Sequence, residues 1–85
     1  MNIHFPPNKI ASSEFMIAFP AIASGREISC RISYEALDVF SLSDNHIETF
    51  NSNITAIHAC AEDLIEKERF TPEGYIYITE NDFSD

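Results

Sequence analysis

The chain has 85 residues, 45% of them apolar and 12% aromatic, and a formal net charge of −9. That is enough for one domain with a small core, burying roughly 60% of the unfolded surface. Fourteen acids against five bases argue against nucleic acid and anionic membranes as partners, and two cysteines are too few for a disulfide scaffold.

Ile3 and Phe5 alternate with Asn2 and His4, the pattern of a short first strand. Pro6-Pro7 closes it and removes two backbone donors, which assigns it to a sheet edge. Residues 8–13 read as a polar connector. Phe15, Ile17 and Phe19 alternate with Met16 and Ala18. With both faces apolar, this second strand is expected at the centre of the sheet or covered on both sides. Pro20 is taken as its end, and Ala21–Gly25 as a hairpin loop with Gly25 at positive φ. From Arg26 to Ile32 the alternation is clean: Ile28, Cys30 and Ile32 face inward, and Glu27, Ser29 and Arg31 face water.

Ser33 has the character of a helix N-cap, with Ile32 before it placed to staple onto Leu37. The helix that follows is short, about Tyr34 to Phe40. Asn45 and Glu48 then resemble a capping box. Ile47, Phe50, Ile54, Ile57, Ala61 and Leu64 recur at alternating spacings of three and four, so they form one apolar stripe. About twenty helical residues make a rod of roughly 30 Å. Opposite the stripe lie Glu48, Glu62, Asp63 and Glu66. Asp63 attracts Lys67 at i,i+4, while Glu62 repels Glu66. Thr71–Gly74 reads as a turn. Tyr75 to Ile78 forms the last strand, with Tyr75 and Tyr77 on one face and Ile76 and Ile78 on the other. Thr79 and Asp82 repeat the capping grammar, with Ile78 stapling to Phe83. The reading is a single α+β domain over residues 1–85, of order β-β-β-α-α-β, with a mainly antiparallel sheet and a long helix packed on one sheet face.

Twelve of the fourteen acids and two of the five bases lie in residues 35–85, so almost all the net charge rides with the long helix. No C-x-x-C, H-x-x-x-H or H-E-x-x-H spacing occurs, and no metal or cofactor is expected. His58 is placed at the margin of the core beside Ile65. Cys30, between Ile28 and Ile32, faces the core, and Cys60 flanks the stripe. Both read as small buried hydrophobes. Two glycines build no phosphate-cradling loop. Arg31 is expected to pair with an acidic helix, with anion binding as the alternative; if its strand neighbours the last one, Tyr75 and Tyr77 extend its surface into an amphipathic patch of the type enriched at interfaces. Nothing in the N-terminal stretch has the form of a signal peptide and no apolar run spans a bilayer, so a cytoplasmic location is expected.

The ordered run Gly25-Arg26-Glu27-Ile28-Ser29-Cys30-Arg31-Ile32-Ser33-Tyr34-Glu35-Ala36-Leu37, followed by Phe50-Asn51, Ile57, Gly74-Tyr75 and Ile78-Thr79-Glu80-Asn81-Asp82-Phe83, resembles a family of small bacterial proteins of unknown function, DUF1488. Two positions depart from the pattern: Ser52 and Asn53 follow Phe50-Asn51 where a basic residue is common, and Ala21–Ser24 has no acid before the glycine. The resemblance implies a compact α+β fold and carries no activity and no site residue.

Three functions are weighed. The first is a small non-enzymatic interaction or regulatory module, with Arg31, Tyr75, Tyr77 and the acids Glu48, Glu62, Asp63 and Glu66 as its candidate surface. Its partner would be another protein, a basic one if charge steers the encounter, or a second copy of the chain. The second is an acidic mimic of nucleic acid that occupies a basic DNA-binding protein. The third is a small-molecule enzyme with its site in a dimer cleft lined by Arg31, His58 and carboxylates, because so small a domain has little room for a pocket of its own.

Overall fold

A computed structural model of the chain describes residues 2–7 and 9–83. Five strands, β1 (Ile3–His4), β2 (Ala11–Ser12), β3 (Met16–Ala23), β4 (Arg26–Ser33) and β5 (Ile76–Ile78), form one sheet with three helices, α1 (Tyr34–Asp38), α2 (His46–Ser52) and α3 (Ile54–Glu66), between β4 and β5. A 3₁₀ turn over Glu80–Asp82 follows β5. The strand order is β1-β3-β4-β5, with β2 also paired to β3. All pairings are antiparallel except β4 with β5, because the helices carry the chain back to the far end of the sheet before β5 begins. The fold is α+β and mainly antiparallel.

The connector assigned to residues 8–13 contains β2. Ile3 faces Ala23 and Ala11 faces Ala18, so residues 3–11 of this edge span residues 18–23 of β3, nine against six. The excess loops out around Pro6-Pro7. β1 and β2 are thus two pieces of one edge strand that the prolines interrupt.

β3 runs on through Pro20 to Ala23, past its expected end. The amide of Tyr34 donates to the Phe15 carbonyl, which sets the parity of the ladder: odd residues of β3 exchange hydrogen bonds with β4, and even residues turn their nitrogens the other way. Pro20 is even, and its outward side falls between the stretches bonded by β2 and β1. Its missing N–H therefore breaks no ladder bond. The hairpin loop shrinks to Ser24-Gly25, both at positive φ (52° and 80°), a turn whose twist matches the strands it joins. Phe15, expected inside the strand, lies beyond its end and is 69% exposed.

The core lies between one sheet face and the helices. Ile17, Phe19, Ala21, Cys30, Ile32, Ile76 and Ile78 supply the sheet side, and Leu37, Phe50, Ile57, Ala61 and Ile65 the helix side. The Phe19 and Phe50 rings meet at 5.3 Å. Ser33 caps α1 as expected, its Oγ accepting from the Ala36 amide at 3.1 Å, and the flanking Ile32 and Leu37 are fully buried.

The long rod is two helices. At Asn53 the backbone leaves helical geometry (φ −123°, ψ 24°). The Asn53 side-chain amide donates to the Thr49 carbonyl at 2.9 Å, and its backbone N–H goes to Phe50 instead. A side chain has taken the acceptor that the helix would have used, a competition for which asparagine is suited. The single stripe fails with the rod. Phe50 and Ile57 are fully buried, but Ile47 is 42% and Ile54 36% exposed. The buried line of α3 is Ile57, Ala61 and Ile65, with Leu64 at its margin. The expected capping box is also altered: Asn45 Oδ1 accepts from the Glu48 amide at 3.1 Å, but the Asn45 backbone N–H donates to Ser43 Oγ, not to Glu48.

Candidate functional site

β4 and β5 are neighbours, and their register sets Arg31 beside Tyr77. Side chains alternate across a strand, so Arg31, Tyr75 and Tyr77 share the face opposite the core. The Arg31 guanidinium lies over the Tyr75 ring, 3.9 Å from its centre. Tyr77 meets Tyr75 edge to face with centroids 6.4 Å apart. A cation on a ring at a partly exposed site contributes about 0.5–1 kcal/mol. The patch proposed for these three residues is assembled.

The expected ion pair of Arg31 with an acidic helix does not form. The helices lie on the core side of the sheet, out of its reach. Among the described residues the ion pairs are His46–Asp38 at 3.1 Å and Lys67–Asp63 at 3.0 Å. Among the described residues, Arg31 presents a cation with no carboxylate partner.

The same face carries a row that sequence reasoning missed as a surface. Met16, Ala18, Pro20 and Ile22 of β3 alternate with buried residues and are half-buried themselves. They pair with Ser33, Arg31, Ser29 and Glu27 of β4. None of the described helices covers them. The two-sided apolar character of β3 predicts a central or doubly covered strand; β3 is central, between the β1/β2 edge and β4, and helices cover one of its faces. A shallow groove of about 430 Å³, bordered by Lys9, Ala18, Pro20, Ile22, Glu27 and Ser29, runs along this row.

The four acids do not form one ridge. Glu48 is on α2 beside Asn45, whose amide nitrogen is 3.4 Å from Glu48 Oε2. Glu62, Asp63 and Glu66 lie beyond the bend, on α3, where Asp63 is paired with Lys67. A straight row of carboxylates about 30 Å long is absent, since α3 alone spans about 20 Å.

His58 lies on the core side of the sheet, away from Arg31. Its ring stacks on Phe5 at 4.0 Å and borders an apolar groove of about 430 Å³ with Phe5, Ile10, Phe50 and Ile54. Burial lowers its pKa from the ordinary 6.5. A cleft shared by Arg31 and His58 is therefore not built within one chain. Burial raises the Cys30 thiol to about 12. Burial, with the nearby Asp82 and Asp63 carboxylates, raises Cys60 to about 11. Neither forms a thiolate near neutral pH, so neither is a ready nucleophile. Among the described residues no three His, Cys, Asp or Glu side chains converge as a metal site. A second cluster went unseen in the sequence: His46 stacks on Tyr34 at 3.9 Å and bonds Asp38, and the Tyr34 hydroxyl donates to the Ser13 carbonyl. It ties α2 to α1 and to the β2–β3 turn.

A family model described as "Protein of unknown function (DUF1488)" matches residues 3–78. The chain is also similar to a solved crystal structure of a protein of unknown function of that family from Shewanella loihica PV-4, with 26% identity and a TM-score of 0.79 over 92% of this chain and 94% of the other. No curated protein matches it.

Proposed function

The chain belongs to the DUF1488 family, and on that footing we propose that it is a small, non-enzymatic protein-interaction module whose working surface is the helix-free face of the sheet. One observation carries this reading. That face joins an apolar row, Met16, Ala18, Pro20 and Ile22, to an arginine stacked on tyrosine and lacking a carboxylate partner among the described residues. Aromatic residues and arginine in a partly apolar setting are the composition of interface centres. The acids of α2 and α3 lie on the other side of the molecule, where they keep it soluble and repel unspecific contact. The protein is read as a bacterial cytoplasmic one. No helix among the described residues is long and apolar enough to cross a membrane, and its two cysteines are unpaired, as suits a reducing compartment.

The test is a photo-crosslinking phenylalanine analogue placed at Tyr77 in cells, with the same group at Thr55 on the outer side of α3 as control. A protein adduct formed from position 77 and not from position 55 is expected. Equal labelling at both positions, or none, defeats the reading.

A further inference from the structure

Resting on the interaction-module reading, we infer that the occupant of this face is a second copy of the same chain, docked sheet to sheet about a two-fold axis over Ser29. Glu27 and Arg31 flank Ser29 on one face of β4. At ~3.3 Å per residue they stand roughly 13 Å apart, too far to pair within a chain, and neither has an ion-pair partner among the described residues. A two-fold axis in the interface, at right angles to β4, leaves position 29 in place and exchanges positions 27 and 31. Each Arg31 then meets the Glu27 of the other copy, twice per dimer. An interface of this kind is self-complementary and closes at two.

The same operation carries β3 onto β3 and β5 onto β5. Pro20 is level with Ser29, so Ile22 of one copy lies against Ala18 of the other. Tyr75 precedes Ile76, which is level with Cys30, so it too sits near the axis and faces its own counterpart. Apolar row meets apolar row, ring meets ring, and each charge meets its opposite. Aligned sheets pack rotated by about 30°, and that rotation displaces the middle strand least; β4, which bears the charges, is the middle strand of this patch. Charge also selects this face over others. Two molecules of net charge −9 repel, yet the strand residues of this face hold one acid, Glu27, and one base, Arg31.

Sedimentation of the purified full chain over a wide concentration range tests the inference. A monomer–dimer equilibrium is expected. E27R and R31E should each weaken it by about tenfold or more, since each sets like charges against each other at two sites. The E27R/R31E double variant should recover it, and an equimolar mixture of the two single variants should form a heterodimer tighter than either homodimer. S29R, which puts two like charges on the axis, should abolish it. A wild-type chain that stays monomeric, single reversals that leave dimerisation intact, or a double variant no better than the singles would each overturn the inference. If the chain is monomeric while position 77 crosslinks to a different protein, the inference falls and the module reading stands. If it is monomeric and nothing is crosslinked, both fall.

Discussion

His58 and Phe5 stack nearly parallel, 10° apart, and that contact makes one histidine sensitive to acid. Burial favours the neutral ring, so its folded pKa lies below 6.5. Between those two values the unfolded chain binds a proton that the folded chain does not. Stability therefore falls as pH drops through about 6.5 and continues to fall until the folded pKa is passed. His58→Phe keeps a flat ring on Phe5 and removes the proton. Melting curves of the two proteins should diverge as pH falls from 7 toward 5, with the variant holding its Tm better; parallel losses would show that His58 is not the titrating group. Part of this was legible. The i,i+7 spacing of His58 and Ile65 put the histidine at the margin of the core. Its partner Phe5 was not legible, because the contact joins an edge strand to a helix more than fifty residues away.

At the scale of elements, the helix ends show how local chemistry competes with pattern. Ser33 and Asn45 cap as their types suggest. Asn53 also behaves as its type suggests, but the regular apolar spacing across it concealed the break. At the end of α3 the Arg69 amide donates to the Leu64 carbonyl and the Glu68 amide to Ile65, a Schellman closure with Glu68 at φ 55° in the position that favours glycine. A left-handed L-residue costs roughly 1–2 kcal/mol, partly offset by the extra freedom glycine has when unfolded. Glu68→Gly should therefore raise stability by about 0.5–1 kcal/mol in urea titrations, whereas Gly74→Ala, at φ 93°, should lower it. A destabilised Glu68→Gly protein would mean that the carboxylate has a stabilising role of its own.

At the scale of the whole molecule, a core this small gives each large side chain unusual weight. Phe50 is fully buried, the largest such side chain among the described residues, and meets Phe19 from above the sheet. Its truncation to alanine should cost about 3–5 kcal/mol, much of the stability of a domain at the low end of about 5–15 kcal/mol. The urea midpoint should collapse toward zero; a shift of a small fraction would place the core elsewhere. Local rules in the chain itself determined the capping residues, the inward line Ile28-Cys30-Ile32, the turn at Gly74 and the tyrosines opposite Ile76 and Ile78, because each depends on neighbours within a few positions. Only the tertiary structure decided that Pro20 is harmless in a strand, that one apolar face of β3 is left without a helix, and that Arg31 rests on Tyr75. Those outcomes depend on which strands and helices become neighbours in space, and that choice is made by the packing of the whole core.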